Sequence, residues 1–226
     1  VSVEKHMLAA GTPYATPYYV VNSVAPGPVF MIISGVHGNE PASTRAAQGI
    51  VSRFNRGEWV LRRGKLIIVP LVNVSARHKG IRGKPDLNRT FPMGTGAKAR
   101  HPLSRAVFQL AARYRPSWYL DLHEANGLSQ LNPRRVGQTL IISPASRAAA
   151  VAKQIVKKMN LSVPNKAYRF NIRRRERAGT SRMAMQRLLG ARAVTVETCW
   201  SLDFSLRVRL QSEIVSHFLR AAGLTG

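Results

Sequence analysis

Acidic side chains are scarce in this sequence: 226 residues hold only 10 Asp and Glu against 35 Lys and Arg, a formal net charge of +25 with the histidines neutral. A surplus of that size sets up a long-range field that attracts polyanions, whether nucleic acid, anionic lipid or an acidic wall polymer. The basic residues run through the chain from Arg53 to Arg220 instead of forming a tail, so most of them read as a solvated charged face. Cysteine is nearly absent. Cys199 alone excludes an internal disulfide framework and any cysteine-based zinc cluster, and it leaves the compartment open. No apolar run approaches the roughly 18 residues that a membrane span needs. The opening residues VSVEKHMLAAG lack a basic segment followed by an apolar block, so no signal peptide is read there. Repeats, low-complexity tracts and Pro/Gly/Ser-rich linkers are also missing, which points to one domain over residues 1–226.

What is present is an alternation. Residues 18–23, 28–34, 65–73, 118–123, 138–143 and 192–197 have the composition of strands, several of them apolar on both faces. Between them, 41–55, 103–114, 145–159, 181–190 and roughly 205–222 carry apolar residues at helical spacing. Strands that alternate with helices predict an α/β fold with three α/β/α layers and a doubly wound, mainly parallel (mixed) sheet. In such sheets ligands gather beyond the carboxyl ends of the strands. His37 and Glu40 follow one predicted strand, His123 ends a second and Glu197 ends a third, so residues far apart in sequence are expected on one rim.

A catalytic zinc site takes three N/O ligands, keeps one position open, and needs a carboxylate nearby to handle a proton. His37, Glu40 and His123 match that set, and the His-x-x-Glu spacing brings two of them to one side of a single turn. On its own the same spacing also describes a capped helix entry. The run DLNRTFP, residues 86–92, adds Asp, Asn and Arg so close together that it reads as a loop serving a site.

The ordered combination of HGNE, DLNRTFP, DLHE and VTVET, spread over residues 37 to 198, resembles the zinc carboxypeptidase superfamily, both its carboxypeptidase A-type peptidases and its succinylglutamate desuccinylase/aspartoacylase branch. The resemblance implies one Zn2+ ion on His37, Glu40 and His123, with Asp86 orienting His37. It implies Asn88 and Arg89 as the grip on a substrate carboxylate, Arg82 as the cation that polarises the scissile carbonyl, and Glu197 as general base. Arg77 matches less well than Arg82. The chain departs from the pattern in having Asn73-Val74 where relatives often carry Asn-Pro. No tyrosine of the carboxypeptidase A type is placed, because Tyr168 has no supporting motif. The short stretch after Glu197 leaves out the C-terminal β domain of aspartoacylase-like enzymes, which favours a compact peptidase-like member.

The other candidates carry less. Glu124 is expected on the opposite strand face from His123 and so not as a ligand. His6, His78, His101 and His217 have no spaced partners, and Cys199 has no partner histidine. Arg173, Arg174, Arg175 and Arg177 crowd onto a predicted loop upstream of Glu197, where they would read acidic groups of a substrate or form a solvated basic loop. The expected activity is zinc-dependent hydrolysis of an amide beside a free carboxylate, in a carboxypeptidase or amidase acting on small acidic peptides such as peptidoglycan stem fragments. An N-acyl-amino-acid deacylase is the alternative enzyme. A polyanion-binding protein with an idle site, held to an anionic polymer by its basic surface, is the alternative of another class. An exported or periplasmic setting is favoured over a cytoplasmic one, and the oligomeric state is left open.

Overall fold

The computed structural model describes residues 1–226. Eight strands form one sheet: β1 (Ser2–Leu8), β2 (Thr16–Asn22), β3 (Val29–Ser34), β4 (Lys65–Val69), β5 (Trp118–Ala125), β6 (Thr139–Ile142), β7 (Asn171–Arg174) and β8 (Arg192–Cys199). Their spatial order is β1-β2-β4-β3-β5-β8-β6-β7. The four central strands β4, β3, β5 and β8 are parallel, whereas β2 and β6 meet them antiparallel from either side. Six helices accompany the sheet: α1 (Pro41–Asn55), α2 (Val74–His78), α3 (Pro102–Tyr114), α4 (Ala149–Leu161), α5 (Ser181–Leu189) and α6 (Phe204–Ala221).

The apolar runs of the central strands are buried on both faces because helices cover both. Side chains alternate along a strand. On β3, Phe30 and Ile32 therefore join the core under α1, α4 and α6, while Met31 and Ile33 join the core under α3 and α5. Each fully buried side chain of this kind contributes roughly 1.5–3 kcal/mol relative to exposure. The same alternation on β5 sends Tyr119 to the α3/α5 face and Leu120 and Leu122 to the other. It thereby fixes where Asp121 and His123 must point.

Three elements go beyond the sequence reading. β1 is a largely exposed strand paired only with β2, so no burial pattern marks it. The predicted strand 65–73 stops at Val69, because Pro70 has no N–H for the ladder, and α2 follows with Asn73 accepting from the Ala76 amide. Val74 thus occupies the first helical position without disturbing the cap. The third is β7, which pairs parallel with β6 inside the segment expected to be a loop.

Candidate metal centre

The sharp turn after β3 carries His37 and Glu40 into the interior, where each is about 2% exposed or less. Gly38 makes the turn possible: a Cβ there would stand 2.0 Å from the Ala76 carbonyl, so only glycine lets the turn rest on α2. Glu40 is the N-cap residue of α1 but makes no side-chain cap bond. The first turn of α1 is served instead by Glu124, whose Oε2 accepts from the Ala42 amide at 2.7 Å and whose other oxygen pairs with Arg207 of α6. That arrangement leaves the Glu40 carboxylate for the histidines. It also puts Glu124 on the face of β5 opposite His123, as the strand alternation requires.

His37 Nδ1 lies 2.7 Å from Glu40 Oε1, and His123 Nδ1 lies 2.7 Å from Glu40 Oε2. The outer nitrogens also face carboxylates, His37 Nε2 at 2.9 Å from Asp86 Oδ1 and His123 Nε2 at 2.9 Å from Asp121 Oδ1. The Asp121 contact is poorly aligned and leaves that oxygen without a well-formed hydrogen bond. An outer carboxylate draws the ring proton to Nε2, which leaves a lone pair on Nδ1. In that form two lone pairs face one buried carboxylate, an arrangement that needs a shared cation, a proton or a metal ion, among them. The three ligand atoms are within 4.8 Å of one another, so the chemistry of the donor set fits a single divalent ion.

The electrostatics point the same way. Burial pushes the Glu40 carboxyl up, yet the facing His123 and His37 rings overcome it and bring it down to about 2. Burial disfavours the His123 cation, but Asp121 and Glu40 hold it well above its ordinary value, so this pocket retains positive charge. Asp86 is held well below the usual carboxylate range: burial opposes this, and the His37 bond and the Arg82 guanidinium outweigh it. Parallel pairing of β5 with β8 puts Glu197 directly beside His123. Its Oε2 is enclosed without a partner, and burial first, then Glu40 and Asp121, push its carboxyl up to about 8. A divalent ion on the neighbouring ligands would reverse those like-charge contributions and return Glu197 to its ionised form.

The cluster opens into a cavity of about 360 Å³ whose wall holds Arg82, Asn88, Arg89, Arg175, Arg177 and Glu197. Arg82 donates from Nε and Nη2 to Asp86 Oδ2 at 3.1 and 3.0 Å, leaving Nη1 3.7 Å from Glu40 Oε1. Asn88 and Arg89 sit on a short 3-10 turn, Leu87–Arg89, capped by Asp86. Asn88 Oδ1 accepts from the Ser181 amide at 2.9 Å, and its Nδ2 is 3.2 Å from His123 Nε2. Gly179, at φ +74°, lets the chain cross the Arg89 backbone, and its carbonyl accepts from Phe91.

Two of the four arginines expected together at the substrate entrance are elsewhere. The ladder with β6 extends through Arg174, so side chains along 171–174 are fixed by strand geometry. Arg173 turns to the Pro133 and Arg135 carbonyls, and Arg174 turns to the Pro144 carbonyl at 2.7 Å, beside a separate groove. Arg175 and Arg177, beyond the strand, do line the cavity. Tyr168 packs against the α1/α4/α6 core and does not face the site.

Four residues went unassigned in the sequence reading: Asp121 behind His123, Ser181 donating to Asp121 Oδ2, and Arg182 and Arg135 on the cavity wall. Asp121 had a usable signal, since it stands two residues before His123 on the same strand face and an ionisable group between apolar neighbours is costly to bury unpaired. Arg182 had none, because an arginine inside an amphipathic helix reads as solvated.

A model of the Succinylglutamate desuccinylase/Aspartoacylase catalytic domain matches residues 26–220. No curated protein matches the chain by sequence. Among solved structures, product-bound cell shape determinant Csd4 from Helicobacter pylori superposes with a TM-score of 0.76 at 17% identity, over 99% of this chain and 56% of that one. The mDAP-bound form of Csd4, described as a D,L-carboxypeptidase, gives 0.72 at 17% identity, over 88% of this chain and 54% of Csd4. A candidate metallopeptidase from Shewanella amazonensis SB2B gives 0.74 at 17% identity, over 99% of this chain and 87% of the other. The chain thus spans little more than half the length of Csd4, and at these identities the likeness is one of fold.

Proposed function

The chain belongs to the succinylglutamate desuccinylase/aspartoacylase catalytic-domain family, and from that premise we propose that it is a zinc-dependent hydrolase cleaving an amide bond next to a free carboxylate. The preferred substrates are small acidic peptides such as peptidoglycan stem fragments. The observation that carries the reading is the pair of imidazole Nδ1 atoms, each 2.7 Å from the Glu40 carboxylate, with Glu197 in register beside His123.

His37, Glu40 and His123 would hold zinc, which when bound supplies Lewis acidity to the amide carbonyl and to water. Asp86 keeps the His37 ring oriented by holding its Nε2 proton, and Asp121 backs the His123 ring at 2.9 Å from Nε2. Glu197 accepts a proton from the attacking water and delivers it to the departing amine nitrogen. Arg82, anchored on Asp86, offers Nη1 to the carbonyl oxygen as negative charge develops there. Arg89 supplies the planar fork for the free carboxylate. Asn88 spends its carbonyl on Ser181 and keeps amide hydrogens for the cavity.

An N-acyl-amino-acid deacylase shares this chemistry, and the family match favours it as the second reading. A wall-peptide substrate also fits the positive charge of the chain and would put the protein in an exported or periplasmic setting. Metal analysis of the purified protein, joined to a hydrolysis screen over short peptides and N-acyl-amino acids, tests the proposal. About one zinc per chain with turnover of peptides supports it, turnover confined to acyl-amino acids selects the deacylase, and a metal-free inert protein overturns both.

A further inference from the structure

β7 is the outermost strand at its end of the sheet, paired with β6 on one side and with no strand on the other. The Asn171 amide donates to the Gln138 carbonyl and the Arg175 amide to the Ile142 carbonyl, so the odd-numbered residues face β6. Alternation then turns the N–H and C=O groups of Phe170, Ile172 and Arg174 to the open side. At Phe170 a single side chain answers both groups. Asn160 of α4 accepts from the Phe170 amide at 2.7 Å through Oδ1 and donates to its carbonyl at 3.0 Å through Nδ2. A neighbouring strand would offer the same donor and acceptor to that residue. The next two outward positions, Ile172 and Arg174, have no such partner for their backbone groups.

A groove of about 910 Å³ runs along this edge, between β7 and α4. Lys153, Lys166, Arg169 and Arg174 line it and no acidic residue does, whereas surface grooves along α6 hold Glu213 or Glu58. Val156 and Ile172 contribute an apolar floor and pack on the core beneath. Ile172 and Arg174 share one face of the strand, the face that α4 covers, so Arg174 and Lys153 flank the same side of any strand added here.

We propose that this edge is a docking surface for an extended acidic peptide, which adds a further strand beside β7 and turns its carboxylates toward Lys153 and Arg174. Charge complementarity selects that partner. A second copy of this chain, with a net charge of +25 and its ten acidic residues scattered, is repelled. A nucleic acid or an anionic glycan would meet the cations, but it has no row of alternating N–H and C=O groups to answer Ile172 and Arg174. The groove and the metal-site cavity share no lining residue, so docking here stands apart from the hydrolase reading.

The test is fluorescence anisotropy of a labelled, alternating Glu-Val octapeptide titrated with the full chain at about 0.1 M salt. Two isomers, N-methylated at every glutamate or at every valine, are run beside it. A paired strand presents one of these residue types to the edge. One isomer should therefore bind on the order of 10-fold or more weakly than the parent, and the other within about twofold of it. Lys153→Glu/Arg174→Glu should weaken the parent peptide on the order of 10-fold, against about twofold for Lys5→Glu/Lys98→Glu, the same change of charge at exposed lysines outside the groove. Equal binding of the two isomers, equal weakening by the two double variants, or displacement of the peptide by an equally charged single-stranded oligonucleotide at matching concentration overturns the proposal in favour of a diffuse field. Absence of binding overturns it as well, and would mean that the cations merely blunt a bare edge. Should the Lys153/Arg174 variant fail to fold, the two isomers decide on the unaltered chain.

Discussion

The two sides of the cavity follow opposite electrostatic rules. Around His37 and His123 nearly every charge is answered: Glu40 stands between both rings, Asp86 links His37 to Arg82, and Asp121 backs His123. Across from them, Arg175, Arg177 and Arg182 form no ion pair with any acidic residue, and backbone carbonyls and a hydroxyl serve Arg182. The chain has only ten acidic residues, and Glu40, Asp86, Asp121 and Glu197 are all spent on the first side. A side whose charges are internally matched can serve any amide presented to it. A side with unmatched cations lowers its free energy only when an anion arrives, so it chooses the ligand. On the proposed hydrolase reading, the histidine side would set the rate and the arginine side the selectivity.

The largest effects should come from breaking the matched side. His37→Ala removes a ligand and leaves Asp86 and Glu40 facing each other, so both zinc content and turnover should fall below detection. Glu197→Gln keeps the ligand set and removes the proton acceptor, which is expected to cost about 10²- to 10⁴-fold in kcat with zinc content unchanged. Metal analysis beside steady-state kinetics separates the two. If both variants were equally depleted of metal, Glu197 would belong to the ligand set and its role as base would be wrong.

Smaller losses should follow from the carboxylates behind the rings. Asp86→Asn and Asp121→Asn each keep the shape but weaken the pull on an Nε2 proton, and each should lower zinc affinity about 10- to 100-fold. Competition with a chromophoric chelator measures this. Its pH dependence carries the sign: His123 is held well above its ordinary pKa in the metal-free chain, so the metal must displace a proton there and apparent affinity should rise as pH increases through neutrality. An affinity that stayed flat with pH would mean that His123 already binds as the neutral ring.

These expectations show which parts of the molecule the sequence made legible. His37, Glu40, His123 and Glu197 could be read because strand ends in an α/β sheet are where polar residues interrupt long apolar runs, and four such interruptions occur in order. The layers were legible for the same reason, since β3, β4, β5 and β8 are apolar on both faces. β7 was not, because Asn171–Arg174 has neither alternation nor an apolar face and is held by backbone pairing at the edge of the sheet. Arg182 was invisible for a different reason. Helical periodicity places it on α5, but only the packing of α5 against β6 and the 175–180 segment decides that it is buried.

The smallest effect is the one that tests whether selectivity depends on which way an arginine points or only on total charge. Arg174 and Arg177 are three positions apart in a crowded basic segment, yet Arg174 turns to Pro144 beside a separate groove and Arg177 lines the cavity. Arg177→Ala should raise KM for an acidic dipeptide about 10-fold with kcat little changed, as expected when one charge-assisted contact to the bound ligand is lost. Because Arg177 is exposed, that effect should shrink as salt rises from low ionic strength to about 0.5 M. Arg174→Ala removes the same formal charge and should leave KM within about twofold, since a charge held outside the cavity acts only through a screened field. Equal rises in KM for the two variants would mean that the +25 charge steers substrate as a diffuse field and that the cavity's individual arginines do not read it.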